Sequence, residues 1–431
     1  MTNKRILILG AGLAGLSTAW HLQRRGLDCQ VFEKEQEVGG LCRSKEIGGF
    51  TFDYDGHLLH FKQPYTFKLI KSLLGDNLVS HVRSAWIYAF GQYGRYPFQA
   101  NLHGLPSEIM KECLLDFIQT PKNGKTKNKN TTFLDWINKT FGKGIARHFM
   151  IPYNSKFWTV PPQELTCEWL DGFIPVPSLS EIIEGAIQDC QKQFGYNAQF
   201  WYFKKGGINQ LPLSLAREVK NIYTNCGVKQ IDLEKKEIKL NSGDRERFDL
   251  LISTLPLPEM PYLIKNIPKQ AGNLFKKLKW NSIFNLNLGI ERKETLKRHW
   301  VYFPKEEICF FRVGFPHNFS SSLAPANRSS LYAEVSYSEF KPIDKSSIVL
   351  SIERDLKKVG ILTENDSVSV RDINDIKYSY PIYNHEYGRI EKRIFRFLNA
   401  NNIIPCGRYG AWRYMSMEDS VLEGKKVADF L

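Results

Sequence analysis

The chain has 431 residues, more than one compact domain usually holds, so two or three domains are expected. With 42% hydrophobic and 24% charged residues it has the balance of a soluble globular protein, which argues against a disordered or membrane-embedded chain. Its 59 basic and 45 acidic residues leave a net charge of +14, but the basic residues are dispersed, which favours a field drawing in a small anion over a nucleic-acid groove.

Ile6, Leu7, Ile8 and Leu9 form a short apolar run, as expected of a parallel strand buried on both faces. Gly10-Ala-Gly12-Leu-Ala-Gly15 follows directly and fits GxGxxG. The first glycine permits a tight turn, the second lets a pyrophosphate approach the backbone, and the third lets the next helix pack on the strand. That helix presents free N–H groups to phosphates. A second strand through Val31 and Phe32 ends at Glu33, 18 residues after Gly15, where a carboxylate can hold ribose hydroxyls; Lys34 stands beside it. Gly39-Gly40, with Arg43 close behind, resembles the extension common in flavoproteins, so FAD is expected rather than NAD. Lys4 and Arg5 ahead of an apolar stretch imitate a secretory leader, but three glycines at cofactor spacing argue for a nucleotide-binding unit. No other stretch is long and apolar enough to cross a bilayer, and eight scattered cysteines without a CxxC fit free thiols in a reducing cytoplasm.

GGFTFDYDGHLLHF alternates like strand before turning into a loop, and residues 86–101 read as a hairpin whose WIYAF and RYPFQ flank Gly91 and Gly94. From residue 106 to about 200 the pattern is mainly helical, through SEIMKECLLDFIQT, TTFLDWINKTFGKGIARHFMIPY and SLSEIIEGAIQDCQKQF. Residues 122–129, rich in Lys, Asn and Gly, read as a loop. WYFKKGGINQLPLSLAREV opens a new unit, VKQIDLEKKEIKLNSGDRERF reads as a hairpin, and LLIS as a buried strand. FNLNLGI, WVYFP, CFFRVGF and SLYAEVSYS predict an antiparallel sheet, and NIIPCGRYGAWRY leads through a glycine-rich turn to a final helix. The resulting fold class is α/β. A Rossmann-type FAD-binding domain is assembled from residues 1–85, 203–265 and 390–431, with a helical domain inserted at 103–202 and an antiparallel-sheet substrate domain from 86–102 and 266–389.

Three groups of segments point to one family. FDYDGHLLHF is followed by GRYPFQANLHGLP and YNSKFWTVPPQEL; WYFKKGGINQLP by LLISTLPL; YFPKEEICFFRVGFPHNFS by YSYPIYNHEYGRIEK and GRYGAWRYMSMEDSVLEG. Together they resemble the UDP-galactopyranose mutases, the eukaryotic-type branch more than the short bacterial one, within the wider flavin amine-oxidase and protoporphyrinogen-oxidase group. The resemblance implies an isomerase that interconverts pyranose and furanose rings of a nucleotide-diphosphate sugar, UDP-linked, for cell-surface polysaccharide. Reduced FAD would be the nucleophile at the anomeric carbon, without net redox, and NADPH the reductant.

Carried over residue by residue, the resemblance implies that Tyr96, Gln99, Asn154 and Trp158 hold the nucleotide, where aromatic faces stack on a base and amides read its edge. Arg312 and Arg408 match the arginines that clamp the diphosphate, and Tyr380 and Tyr414 the tyrosines that donate hydrogen bonds to it. His57 matches the histidine of a loop beside the flavin, Gly407 and Asp419 match cofactor contacts, and Arg83 falls where the eukaryotic-type enzymes meet a nicotinamide nucleotide. Taken singly, Tyr96 and Trp158 read equally well as core aromatics, and Tyr380 and Tyr414 as packing. His57 and His60 are three apart and would share a helix face, but no third metal ligand is evident, so no metal is expected. The helical region is a candidate surface for a homo-oligomer.

Departures cluster at the sugar end. Asp55-Gly56-His57 stands where the mutases have a glycine pair before the histidine, His60 replaces an aromatic, and SMEDSV keeps the acid Asp419 but differs at Glu418 and Val421. The sugar is therefore open. A redox flavoenzyme (an amine, carotenoid or porphyrinogen oxidase or desaturase) explains GxGxxG, Gly39-Gly40 and WYFKKGG equally well, but not YPFQ, YNSKFW or two clamp arginines. A non-catalytic nucleotide-sugar-binding flavoprotein is the third reading.

Overall fold

The computed structural model describes residues 4–121, 131–170, 172–195 and 197–431. The Lys-rich stretch read as a loop, 122–129, lies outside the described residues.

Ile6–Leu9 is buried along its whole length because it lies at the centre of a five-stranded parallel sheet. Cys29–Phe32 and Ile222–Tyr223 flank it on one side, and Leu250–Ser253 and Ile403–Pro405 on the other. The sheet is thus assembled from segments hundreds of residues apart. Ile222–Tyr223, two residues at its edge, carries no apolar run and was not legible in the sequence. Leu13–Arg24 begins on this sheet's first turn and packs against the final helix Met417–Phe430. Gly15 sits where an added Cβ would lie 2.0 Å from the Gly10 carbonyl oxygen, so only glycine lets the helix rest on the strand.

A seven-stranded sheet runs in the order Val368–Pro381, Trp280–Ile290, Ser329–Tyr337, Arg312–Gly314, Trp300–Tyr302, Ala85–Ala89 and Gln92–Arg95. It is antiparallel apart from the contact of Trp300–Tyr302 with Ala85–Ala89, which is parallel. The period of two sorts its side chains. Phe284, Leu286, Leu288, Leu331, Ala333 and Val335 pack with Ile348, Ile352 and Leu356 of the helix Ile348–Lys358 on one face. Tyr332 and Glu334 therefore point to the other face, where Arg312 lies directly opposite Glu334. A hairpin is present with its turn at Phe90 and Gly91, both at positive φ, but its second strand is Gln92–Arg95, which contains Gly94, and the expected arm RYPFQ leaves the sheet after Arg95 to form a short helical turn at Phe98–Ala100.

Ser107–Gln119, Phe133–Ile145, Ile151–Trp158 and Leu179–Ile187 form the inserted helices. The last was predicted to continue to Phe194 but stops at Ile187: Gln188 turns extended, and Asp189 leaves the helix to pair through both oxygens with Arg95. WYF joins the two-stranded ladder of Gln199–Phe203 with Leu78–Val82 rather than either large sheet. The expected hairpin before LLIS is a three-stranded meander, Val228–Asp232, Glu237–Leu240 and Arg245–Arg247.

Candidate functional site

A cavity of about 1010 Å³ opens at the carboxyl ends of the parallel strands and runs past the seven-stranded sheet to the inserted helices. Its cofactor end is lined by Gly10, Gly12, Glu33, Lys34, Gly39, Gly40, Arg43 and Gly407. Gly10 adopts φ +94, which few other residues tolerate, and turns the chain from strand to helix. The helix that follows has no side-chain cap at Gly12, so its first N–H groups are open to a ligand. Gly39 donates its N–H to the Ala11 carbonyl at 2.8 Å and bridges to Gly12, so two glycine segments form one smooth wall. Glu33 is buried, and its two oxygens accept N–H bonds from Ala11 (2.8 Å) and Glu35 (3.0 Å). Each oxygen keeps a lone pair for a further donor. Arg43 donates Nε to the Gly40 carbonyl at 2.8 Å and stacks on Tyr54, while Lys34 lies at the exposed rim, 3.7 Å from Glu35. An uncapped helix start, a side-chain-free wall and a fixed carboxylate fit the phosphates and ribose of a dinucleotide. Glu33→Ala is expected to strand the Ala11 N–H and cost about 1–3 kcal/mol of flavin affinity and stability, read by flavin release and thermal melting.

Two expected cofactor residues do not reach the cavity. Gly15 acts through helix–strand packing. Asp419 spends its carboxylate on the Ser416 N–H (2.8 Å) and hydroxyl (2.7 Å) in a capping box that starts the final helix. Asp419→Ala should therefore lower stability by about 1 kcal/mol with flavin stoichiometry unchanged. Loss of flavin at equal stability would return Asp419 to the cofactor site.

In the middle of the cavity stand His57, Arg312, Arg408, Tyr380, Tyr414 and Asp55. His57 and His60 lie in an irregular segment, not on a helix face. Burial pushes His57 below its ordinary range despite Asp55 and Asp53, so the ring is neutral near pH 7; His60 falls to about 4 for the same reason. Arg408 donates Nη2 to the Ser379 carbonyl at 2.7 Å and lies over the rings of Tyr380 and Tyr414, which stack on each other. Its Nε is buried without a partner among the described residues. Arg312 differs. Its Nε and Nη2 form a fork with the fully buried carboxyl of Glu334, so its charge already has a counterion.

The far end is lined by Tyr96, Gln99, Asn154, Trp158 and Trp169. Gln99 donates its amide to the Pro175 carbonyl at 2.7 Å, and among the described residues its buried Oε1 and the indole N–H groups of Trp158 and Trp169 have no partner. Asn154 donates to the Met150 carbonyl at 2.8 Å. Tyr96 lies beneath Arg83 and beside Tyr302. Arg83 itself is 4% exposed, with its guanidinium bonded to Asn197 and the Phe194 carbonyl.

Sequence reading missed Glu334, Trp169 and Tyr302. For Glu334 a signal existed: one acid at a period-two position in SLYAEVSYS, opposite an arginine in FFRVGF. Among the described residues no group of three His, Cys, Asp or Glu could hold a metal, and no helix is long and apolar enough to cross a membrane.

Residues 13–430 match the family model described as flavin containing amine oxidoreductase. The chain belongs to that family. This flavin-family member is 36% identical over 380 residues to the zeta-carotene-forming phytoene desaturase of Myxococcus xanthus, covering 77% of this chain and 72% of that protein. It is 23% identical over 337 residues to 4,4'-diapolycopene oxygenase of Methylomonas sp, spanning 70% of this chain and 66% of that protein. Among solved structures, reduced UDP-galactopyranose mutase superposes with a TM-score of 0.92 at 26% identity, over 99% of this chain and 95% of that one. The fold is therefore the α/β flavoprotein architecture with an added antiparallel sheet, and the cofactor the family implies is FAD.

Proposed function

We propose that the chain is a nucleotide-sugar mutase of the UDP-galactopyranose type, interconverting pyranose and furanose rings without net redox. The observation that carries this reading is Arg408: a half-buried guanidinium with its Nε enclosed, unneutralised by any carboxylate among the described residues, lying between the glycine wall and the aromatic far end. Such a cation suits a diphosphate that joins a base at one end to a sugar at the other. Bound FAD would supply a nucleophilic ring when reduced, with NADPH as the proposed reductant. Arg408 would neutralise the departing diphosphate, with the remaining N–H groups of Arg312 and the hydroxyls of Tyr380 and Tyr414 donating to it. Gln99 Oε1 and the Trp158 N–H, unpaired in the cavity wall, would read the base edge, with Tyr96 and Asn154 beside them. Neutral His57 would line the sugar pocket without adding charge.

The sequence relatives, named as a desaturase and an oxygenase, favour a second reading, a redox flavoenzyme. The test is to reduce the flavin, add UDP-galactose and other nucleotide sugars, and look for furanose products by chromatography. If every sugar returns unchanged and UDP leaves the flavin spectrum unaltered, the mutase reading fails. Substrate-dependent flavin bleaching with peroxide formation on amines, porphyrinogens or carotenoids would establish the alternative.

A further inference from the structure

Asp55 occupies a place in the cavity wall, with its carboxyl beside that of Glu334. The contact follows from the backbone. Gly56 lies so close to Tyr332 that an added Cβ would be 2.2 Å from its hydroxyl, which brings the Asp55-Gly56-His57 segment onto the sheet beside Glu334. Gly56 donates its own N–H to Asp55 at 2.7 Å, and the Asp55 carbonyl sits 3.1 Å from His57 Nδ1. Glu334 is meanwhile the fork partner of Arg312.

Two carboxylates can only accept, so side by side and away from water they repel each other unless one proton lies between them. With one proton the Arg312, Asp55 and Glu334 cluster is neutral overall. Without it the cluster is anionic and faces whatever Arg312 is meant to hold. We propose that Asp55 and Glu334 hold one shared proton beside Arg312, and that a nucleoside diphosphate binds only while the proton is there. This rests on the nucleotide reading above. Asp55 then sets the charge of the anion site, a role the glycine pair of the resembled family has no group to perform.

The electrostatics of the neighbourhood agree. Burial pushes both carboxyls up; Asp55 is held down by Glu334, Arg312 and His57, whereas Glu334 stays well above the usual range. The other groups facing the pair are Arg408, His57, and the phenols of Tyr153, Tyr302, Tyr332, Tyr380 and Tyr409, each raised by burial. Asp53, near His57, is occupied by Ser44 and Ile208. The neutral His57, the raised phenols and Arg408 do not titrate between neutral and mildly alkaline pH; burial also raises Asp53 although Tyr202, Ile208 and Ser44 donate to it, and Asp55→Asn, which removes only the pair's proton, tells the two apart. A nearby diphosphate makes losing the proton costlier, so the pair's upper pKa is higher in the complex than in the free protein. Affinity is then constant below the free-protein pKa and falls by up to about tenfold per pH unit above it.

The holoprotein is titrated with UDP from about pH 6 to about pH 10, following flavin absorbance and calorimetry in two buffers of different ionisation enthalpy. The wild type should take up protons on binding at the alkaline end and lose affinity there. Asp55→Asn, which leaves Glu334 ionised against Arg312, should bind without proton uptake and with a flat profile; Asp55→Gly serves if the amide variant fails to fold. An infrared band of a protonated carboxyl should be present in the wild type and absent in either variant. UDP binding with the same proton count and pH profile in wild type and variants overturns this inference alone. Failure of UDP to bind the wild type at any pH overturns the nucleotide reading and this inference with it.

Discussion

Arg408→Ala is expected to lower kcat/KM for a nucleotide sugar on the order of 10²–10³-fold, with loss of measurable UDP binding. The expectation comes from how Arg408 is held. Its amines meet backbone carbonyls, at 2.7 Å from Ser379 and 3.4 Å from Met415, and the Tyr380 phenol, while its Nε has no hydrogen-bond partner among the described residues. A guanidinium so placed is desolvated in advance and gains its full pairing energy only when an anion arrives. Because no carboxylate is stranded when it is removed, the variant should fold and keep its flavin, unlike one that breaks a buried ion pair. Arg408→Lys keeps the charge but not the fork and should fall between. Isothermal titration with UDP and flavin stoichiometry measure both effects. An Arg408→Ala protein that binds UDP as the wild type does would remove the main support for a diphosphate substrate.

Gly15→Ala should cost about 3 kcal/mol or more and leave the protein largely without flavin. The added Cβ would meet the Gly10 carbonyl oxygen at 2.0 Å and its carbon at 3.2 Å, with Ile8 Cγ2 at 3.4 Å. Backbone cannot swing aside as a side chain can, so the helix must lift off the central strand and the phosphate end of the cradle moves with it. Gly12→Ala is the informative contrast. Its Cβ would find only Gly40 Cα, at 3.9 Å, so the apoprotein should melt unchanged while the new methyl occupies the wall a pyrophosphate needs. Thermal melting of both apoproteins, beside flavin content, separates packing from cofactor contact. Full flavin and an unchanged melt in Gly15→Ala would refute the packing role.

The local elements were legible wherever a period or a turn signal is strong. The apolar run at Ile6–Leu9, the hairpin at Ala85–Ala89 and Gln92–Arg95, and the strand Trp280–Ile290 all announce themselves. Weak signals failed for identifiable reasons. Ile222–Tyr223 is strand only because the edge of a sheet lies beside it, and the helix Leu179–Ile187 ends where Gln188 turns extended and Asp189 reaches Arg95, a partner distant in the chain. Asp419 matched a cofactor position in sequence, yet its carboxylate closes a capping box, a local interaction that S-x-x-D spacing itself encodes.

What the sequence determined by itself was the nucleotide-binding turn and the fold class, because a strand, three glycines and an acid interact within one contiguous stretch. It also supplied the side-chain types of the far site, as motifs. Only the tertiary structure decided how those side chains are charged and paired. Arg312 and Arg408 look alike in the chain, but period-two alternation and strand register set Glu334 across from the first, while the second is left with carbonyls and phenols. Asp55 and Glu334, hundreds of residues apart, come to lie side by side because Gly56 lets a loop lie against Tyr332. Charge at a buried site depends on which groups exclude water together, and that is set by long-range packing rather than by spacing along the chain.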